Sequence, residues 1–284
     1  MICSCRGDEF LKKDGYVYYR CPRCRLFFLA ETISAQKLSA FYNKDYFQPP
    51  KGKTGTYQCG YDDYAASSGF KTPFYRFLLG RIRQLEVRTV LDVGAAYGEF
   101  VRFLRQGGYD AVGIEISRFA VQKAIDLGNN VMESSLESFA ENAAPVRSFD
   151  LVCLLDVFEH LYDYQSAMLA LRQIVKDNGL LFIVTPNSRG LSARLLGKKW
   201  YHFLPPQHTC LFHDGNIAAF LKQHGFRVIR TEHIKKTFSV KYFLHILAGW
   251  LRMRFPTFVS ERFGDVVFTF PLKDNMLIIA QKYE

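Results

Sequence analysis

Residues 88–117, RTVLDVGAAYGEFVRFLRQGGYDAVGIEIS, decide the fold class of this chain. An apolar, β-rich run over residues 89–93 breaks at Gly94, and a helical pattern opens near Gly98. A second apolar run over residues 111–116 follows and carries Glu115 near its end. Strand, helix and strand in this order, with a glycine turn at the first crossover, predict a βαβ unit of a parallel sheet.

The glycine turn predicts a nucleoside site. Gly94 and Gly98 lack a Cβ, so the backbone can bend sharply there and approach a ligand closely. Glu115 falls where an acidic side chain at the end of the second strand binds both ribose hydroxyls. The alternative is a turn with no ligand, since a glycine-rich turn alone is a weak signal.

The charge of Asp92 indicates which nucleoside is bound. Asp92 lies two residues before Gly94, where a dinucleotide would bring its pyrophosphate, and a carboxylate there repels phosphate and favours a cation. S-adenosylmethionine carries a sulfonium and an ammonium group beside its adenosine. At these residues the chain resembles the class I S-adenosylmethionine-dependent methyltransferases, whose first motif runs acid, x, Gly, x, Gly, x, Gly. The middle glycine is Ala96 here.

The resemblance implies a Rossmann-like α/β fold with a seven-stranded sheet, the last strand reversed, and places the adenine against residues that follow the third strand. The cofactor contacts that we expect are Asp92, Gly94, Ala95, Ala96, Gly98, Glu115, Ile116, Ser135, Leu136 and Asp156. Further strands are predicted over residues 129–132, 149–155, 180–184, 226–231 and 276–281.

Composition narrows the class of protein without fixing its partner. The chain has 284 residues, of which 49% are hydrophobic, enough for one large α/β domain with an appendage. No apolar run reaches the roughly 18 residues of a membrane span, and the N-terminus does not resemble a signal peptide, so we expect a cytoplasmic protein. The net charge of +10 suits nucleic acid, an anionic membrane surface or a phosphate-bearing substrate.

Four of the seven cysteines lie within the first 24 residues, which indicates metal rather than disulfides. Cys3, Cys5, Cys21 and Cys24 form a CxC and a CxxC that can close a structural zinc site. Free thiols or partial ligation are the alternative. We therefore predict a zinc-ribbon-like N-terminal lobe over residues 1–48, which serves as scaffold rather than as a nucleic-acid binder.

A helical lid or linker is predicted over residues 49–85, with the helix starting near Pro73. Tyr57, Tyr61 and Tyr64 either cover the cofactor or pack against other parts of the protein.

The methyltransferase domain is predicted over residues 86–284, with substrate-side insertions at 188–213 and 235–273. Within the second insertion, residues 240–255 form an apolar segment with basic flanks. They predict a buried or lid helix, or an interfacial helix on anionic membrane.

Asp156, Glu159 and His160 follow the apolar run 149–155, at the sheet edge where open α/β sheets bind ligands. This DxxEH resembles the ExxEH of ubiquinone-biosynthesis O-methyltransferases, which implies that the trio lies by the active site and can hold a metal. Glu159 and His160 are therefore candidate catalytic residues. Helix capping without a role in the reaction is the alternative.

The first insertion carries a second resemblance. Its motifs resemble, in kind and order, those of a group of bacterial methyltransferases with an N-terminal zinc ribbon. The motifs are Pro-Asn, an ARLLG segment, a Trp and LPPQHTCLF. Pro205 and Pro206 restrict the backbone before His208, and an imidazole titrates near working pH, so His208 is the candidate general base. An equal alternative is a histidine that satisfies loop carbonyls.

These patterns together predict O-methylation of a small-molecule, sugar or lipid-like acceptor by direct displacement. Two rivals remain open. An RNA or DNA methyltransferase would suit the charge, although the sequence after the fourth strand lacks the Pro-Pro-aromatic motif of base N-methylation. A non-catalytic module that binds S-adenosylmethionine would suit the same glycine turn.

Overall fold

The computed structural model describes residues 6–31, 41–48, 68–143, 148–239 and 267–283. Two β-sheets and their helices make up this part of the chain. Several predicted features lie outside it: Cys3, Cys5, Tyr57, Tyr61, Tyr64 and the apolar segment 240–255.

The elements alternate between strand and helix through the middle of the chain. The strands are β1 (Asp8–Lys13), β2 (Tyr16–Arg20), β3 (Phe27–Leu29), β4 (Thr89–Val93), β5 (Asp110–Glu115), β6 (Val131–Glu133), β7 (Phe149–Leu155), β8 (Val175–Pro186), β9 (Cys210–Leu211), β10 (Phe226–Ser239) and β11 (Val267–Lys282). The helices are α1 (Lys44–Phe47), α2 (Ser68–Ile82), α3 (Glu99–Gln106), α4 (Arg118–Asp126), α5 (Leu136–Ala143), α6 (Tyr164–Ile174), α7 (Leu191–Leu196) and α8 (Asp214–Gln223). Short 3₁₀ turns span Phe158–His160 and Gly197–Lys199.

Seven strands form the main sheet in the order β10-β11-β8-β7-β4-β5-β6. The five strands from β8 to β6 are parallel, and β11 lies antiparallel to β8 and β10. The predicted Rossmann-like sheet with a reversed last strand is confirmed. Strand β7 is central and mostly buried, as expected of a continuous apolar run.

Four elements extend beyond their predicted bounds, among them β8, which begins at Val175 rather than at residue 180. The hairpin of β10 and β11 continues from the pair Lys236 and Phe270 to the pair Ser239 and Val267, so both ends of the predicted second insertion are strand. Cross-strand pairing satisfies the backbone of these residues, and their sequence pattern alone does not reveal it. Helix α2 starts at Ser68 and contains Pro73, rather than starting near it.

The second sheet has the order β1-β2-β3-β9, and all its neighbouring strands are antiparallel. Its fourth strand, β9, comes from the predicted first insertion, almost 200 residues later in the chain. Cys21 and Leu26 of the β2–β3 connection are buried in the same hydrophobic cluster as Phe158 and Phe212 of the main domain. The N-terminal strands are therefore packed onto the main domain and joined to its insertion.

Within the described residues, no helix combines the length and the apolar character needed to cross a lipid bilayer.

Candidate active site

A cavity opens at the carboxyl ends of the parallel strands β4, β5 and β7, where ligands bind in open α/β sheets. Its empty volume, including the open mouth, is about 970 Å³. The lining residues come from five regions: Tyr42, Tyr46 and Phe47; Val93, Gly94 and Ala96; Ile114, Glu115 and Ile116; Ser134, Ser135, Leu136 and Glu137; and Leu155, Asp156, Val157, His160, Leu161 and Tyr162.

The cavity floor is the glycine turn after β4. Gly94 has a φ of +71°, and a Cβ there would lie 2.5 Å from Cγ2 of Val157, closer than atoms can pack. Ala96 also has a positive φ, +49°, in the left-handed region that disfavours side chains. The turn thus keeps the glycine-type conformation at Ala96, and its methyl group does not alter the bend.

Glu115 ends β5 and lines the cavity. Its Oε2 accepts the Ala96 N–H at 3.0 Å, and its Oε1 accepts the Ser117 N–H at 2.9 Å. Burial raises the pKa of the Glu115 carboxyl, and the backbone hydrogen bonds oppose that shift. Because each carboxylate oxygen has two acceptor positions, both can also accept a ligand hydroxyl.

Asp92 lies behind the cavity wall rather than on it, with 4% of its surface exposed. Burial raises the pKa of its carboxyl to about 8, and the negative charge of Glu115 adds to the increase. In the free protein, Asp92 is therefore mostly protonated at neutral pH. A cation bound nearby would favour its ionised form.

The other predicted cofactor residues divide into two groups. Ile116, Ser135, Leu136 and Asp156 line the cavity with Gly94, Ala96 and Glu115. Ala95 and Gly98 do not line it. Gly98 instead starts α3 with a φ of +73°, and the Ala95 methyl packs closely over Gly113.

Ser135 and Leu136 form the side wall where the adenine was predicted. The Ser135 hydroxyl oxygen accepts the Ser138 N–H at 3.1 Å and so caps the first turn of α5. The Ser134 N–H donates to the backbone carbonyl of Glu115 at 3.0 Å. These bonds fix the wall relative to the carboxylate of Glu115.

The three named residues of the DxxEH motif, Asp156, Glu159 and His160, lie in different environments. Asp156 is exposed in the cavity mouth in a left-handed conformation with a φ of +54°. His160 lines the cavity, whereas Glu159 is buried beneath it and accepts a hydrogen bond from Thr185 Oγ1 at 2.9 Å. Glu159 therefore supports the wall, and His160 is the member that faces the ligand space.

His160 is held in its neutral form. Burial lowers the pKa of its imidazole to about 4, partly offset by a hydrogen bond to the backbone carbonyl of Gln207. Its Nδ1 lies 2.9 Å from the Tyr42 hydroxyl. Because the ring donates to Gln207, the neutral ring has its lone pair on the nitrogen that accepts from Tyr42.

An aromatic wall that we did not predict closes the cavity on the side of α1. Tyr42 and Tyr46 pack edge to face with ring centroids 4.8 Å apart, and Phe47 stacks on Tyr97 at 5.6 Å. Ser117 Oγ donates to the carbonyl of Tyr42 at 2.6 Å, which ties this wall to the start of α4. The only sequence signal was the density of aromatic residues around Asn43, which caps α1.

His208 lies next to His160 rather than on the cavity surface. The two rings pack edge to face with centroids 4.8 Å apart, and His208 is 5% exposed. His208 Nδ1 lies 2.7 Å from the carbonyl of His202, and a carbonyl only accepts, so Nδ1 carries a proton. The lone pair of neutral His208 is then on Nε2.

The N-terminal sheet braces the loop that carries His208. The Tyr18 hydroxyl donates to the His208 carbonyl at 2.6 Å, and the Leu29 N–H donates to the Thr209 carbonyl at 2.8 Å. On the other side, the Thr209 N–H donates to the Glu159 carbonyl at 2.8 Å. His208 is thus positioned jointly by β2, β3 and the turn after β7.

Glu159, His160 and His208 are also the residues of the described chain that could together hold a metal ion, with ligand atoms within 4.8 Å of one another. Two of the three already have partners: Glu159 Oε2 accepts a hydrogen bond from Thr185, and His160 Nδ1 lies 2.9 Å from the Tyr42 hydroxyl. Asp156, the first member of the DxxEH motif, is not part of this group. The arrangement therefore fits a metal poorly, and the reaction below uses none.

The described half of the predicted zinc site forms a tight turn. The Cys24 N–H donates to Cys21 Sγ at 3.4 Å, and the Arg25 N–H donates to the Cys21 carbonyl at 3.0 Å. The Cys24 carbonyl accepts from His213 Nε2 at 3.0 Å and from Asn216 Nδ2 at 3.2 Å. These contacts dock the turn on α8, while zinc itself stays a prediction because Cys3 and Cys5 lie outside the described residues.

The fold and the cavity define a methyltransferase domain. The family model described as "Methyltransferase domain" matches residues 66–231, more than half of the chain. The chain belongs to this family.

Individual relatives agree with that assignment. The chain is 30% identical over 194 residues to the mitochondrial ubiquinone biosynthesis O-methyltransferase of Dictyostelium discoideum, covering 57% of this chain and 60% of that one. It is 31% identical over 142 residues to the ubiquinone biosynthesis O-methyltransferase of Salmonella paratyphi A, covering 48% and 56%. The chain thus spans little more than half the length of these curated relatives. The solved structure of the YcgJ protein from Bacillus subtilis shares the fold, with a TM-score of 0.53, 16% identity and coverage of 74% and 99%.

Proposed function

We propose that this protein transfers a methyl group from S-adenosylmethionine to a hydroxyl oxygen of a small molecule. The observation that carries the proposal is the cavity itself, which is lined by Glu115 at the glycine turn and by His160, with the ring of His208 packed against His160. The relatives named for ubiquinone biosynthesis O-methylation support oxygen as the acceptor atom.

The donor is held at the carboxyl ends of β4, β5 and β6. Glu115 accepts hydrogen bonds from the two ribose hydroxyls, and Ser135 and Leu136 flank the adenine. The methionine end lies over Gly94, where the absence of a Cβ leaves room for it. Asp92 ionises beneath the cation.

The acceptor hydroxyl attacks the methyl carbon in line with the departing sulfur. The new C–O bond forms as the C–S bond breaks, and the sulfur leaves with the bonding electron pair as neutral S-adenosylhomocysteine. His208 Nε2 takes the hydroxyl proton through one water, while its Nδ1–H stays on the His202 carbonyl. His160, neutral at working pH, lines the cavity and packs against the acceptor. The protein contributes chiefly positioning and exclusion of water.

We also propose that Cys3, Cys5, Cys21 and Cys24 bind one structural zinc ion. The Cys24 N–H···Sγ contact to Cys21 supports this, because such a bond stabilises a thiolate ligand. Zinc would then fix the β2–β3 turn, and through β3 it would support the His208 loop. Metal analysis should find one zinc per chain, lost in a Cys21→Ser and Cys24→Ser double variant.

The proposed reaction is tested by measuring S-adenosylhomocysteine released with a panel of phenols, sugars, lipid-linked alcohols and short RNA. His208→Gln keeps a side chain that can donate to the His202 carbonyl but removes the base. We expect kcat to fall by about 10²-fold or more, with donor affinity unchanged. His224→Gln is the matched control, since His224 Nδ1 also contacts a backbone carbonyl, that of Phe220, at 2.9 Å.

Three outcomes would contradict the proposal. Equal turnover by His208→Gln and wild type would remove His208 as base. Methylation confined to RNA would replace the acceptor class. Tight donor binding without turnover on any acceptor would favour a non-catalytic binding module.

A further inference from the structure

A second cavity lies beside the hydrophobic cluster that contains Tyr18, Phe27, Trp200 and Phe203. Its empty volume, including the mouth, is about 900 Å³. It is formed between the N-terminal sheet and the segment that follows β8. The residues that line it are Phe10, Arg20, Phe27, Ser188, Arg189, Ala193, Arg194, Gly197, Trp200 and Phe203. Three of these are arginines, and none is acidic.

Arg20 is the innermost cation of this cavity. Its guanidinium lies over the ring of Phe27, 5.2 Å from the centroid, and 6.0 Å from that of Phe10. Its Nε is buried and has no hydrogen-bond partner among the described residues. A buried donor without a partner is costly, so this nitrogen indicates an acceptor that the described residues do not supply.

Further positive charges come from other elements. Arg189 and Arg194 belong to the segment after β8, and Lys198 Nζ lies 5.5 Å from the Phe10 ring centroid. Within the described residues, no carboxylate forms an ion pair with any of these four side chains. Burial lowers the pKa of the Arg20 guanidinium, and repulsion from Arg25 and Arg189 adds to the effect. The cluster is thus electrostatically unfavourable until an anion enters.

The kind of anion follows from the side chains. Guanidinium groups present forked N–H donors that match phosphate oxygens, and several together suit a group with more than one negative charge. Phe10, Phe27, Trp200 and Phe203 surround them with apolar and aromatic surface, which suits an organic body attached to the phosphate.

We infer that this second cavity binds a phosphate or diphosphate ester through Arg20, Arg189 and Arg194. The site is separate from the donor cavity and does not depend on the proposed methyl transfer. It shares a wall with it, however. Trp200 and Phe203 line the second cavity, and Tyr42 and Tyr162 of the first cavity pack against the cluster to which both belong.

The test is calorimetry on the full chain with inorganic pyrophosphate at low salt. We expect binding by the wild type and at least tenfold weaker binding by Arg20→Gln and by Arg189→Gln. Arg102→Gln should bind like the wild type, because Arg102 is exposed on α3 and lines neither cavity. Titration of each variant with S-adenosylmethionine checks that the fold is intact.

Two further probes, uridine diphosphate and a short RNA, identify the source of the phosphate. Uridine diphosphate that binds at least tenfold more tightly than pyrophosphate, with the same dependence on Arg20, would indicate a nucleotide-borne diphosphate. Equal affinities would indicate that the phosphoryl group alone is recognised. The inference is overturned if the wild type does not bind pyrophosphate, if all four proteins bind it equally, or if only a short RNA binds.

Discussion

The cavity has a donor half, around Gly94, Glu115 and Ser135, and an acceptor half, around Tyr42, His160 and the neighbouring His208. The two halves are built in different ways. In the donor half, the side chain of Glu115 bonds to Ala96, 19 positions away, and to Ser117, two positions away. In the acceptor half, Tyr42 meets His160 across 118 positions, and Tyr18 meets His208 across 190. The donor half is formed by contacts within one βαβ unit. The acceptor half requires contacts between this unit and residues from the N-terminal part of the chain.

This difference implies that the two functions can be separated by mutation. Changes in the turn after β4 should abolish donor binding, whereas changes in the N-terminal sheet should disturb the histidines and leave the donor in place. The predictions that follow test this separation, beginning with the largest expected effect.

Gly94→Ala should destroy donor binding. The new methyl group would overlap Val157 Cγ2 at 2.5 Å in a backbone with a φ of +71°, so the turn must move. We expect the affinity for S-adenosylmethionine to fall by about 100-fold or more, from overlap and strain costing about 3 kcal/mol. Gly128→Ala is the control: its φ is also +71°, but no atom lies within 4 Å of the new Cβ. It should cost roughly 1 kcal/mol of stability and leave the donor affinity unchanged.

Donor binding should strengthen as pH rises toward 8. The raised pKa of Asp92, about 8, means that the free protein holds a proton there at neutral pH, and the bound cation displaces it. The affinity should therefore increase by up to about tenfold per pH unit between about pH 5.5 and about pH 7.5. Calorimetry in buffers of different ionisation enthalpy would detect the released proton. A pH dependence unchanged in Asp92→Asn would show that another group is responsible.

Thr185→Val should destabilise the acceptor half by removing a hydrogen bond to the buried Glu159. It removes the hydrogen bond at 2.9 Å that Thr185 donates to the buried carboxylate of Glu159. We expect a loss of about 1–3 kcal/mol in the free energy of unfolding by urea. Thr231→Val, at an exposed position of β10, provides the reference. Equal stability of the two variants would mean that Glu159 does not need this donor.

Tyr18→Phe should have the smallest effect on stability but the most specific one. It removes the hydrogen bond at 2.6 Å to the carbonyl of His208, worth about 1 kcal/mol. Turnover should fall several-fold while the donor affinity stays unchanged, because only the acceptor half is braced by β2. Tyr19→Phe, on the other face of β2, should leave turnover at the wild-type rate. A loss of donor affinity in Tyr18→Phe would contradict the separation of the two halves.

The sequence predicted the donor half well because its signals are local. The period of apolar residues predicted the parallel strands, and Gly94 and Glu115 follow from their spacing along one βαβ unit. Ser135 and Leu136 were implied by the family resemblance. Asp92 was expected beside the ligand but lies behind the wall. A strand's alternation shows only that a residue is buried, not how far it lies from a ligand.

The acceptor half was predicted only in part. His160 and His208 were candidates, yet nothing in the spacing of residues 160 and 208 indicates that their rings touch. The aromatic wall of Tyr42 and Tyr46 was assigned to a separate lobe. Pairing of β3 with β9 joins segments almost 200 positions apart, and such contacts leave no periodic trace in a single sequence.

The central claim is that Glu115 and the glycine turn bind the adenosine of S-adenosylmethionine rather than a dinucleotide. Its most direct test is calorimetric titration of wild type and Glu115→Gln with S-adenosylmethionine, and with NAD as the phosphorylated competitor. We predict that the wild type binds S-adenosylmethionine and not NAD. Glu115→Gln should bind at least about tenfold more weakly, because charge-assisted hydrogen bonds to the ribose are lost. Equal binding of S-adenosylmethionine by both proteins, or tighter binding of NAD by the wild type, would contradict it.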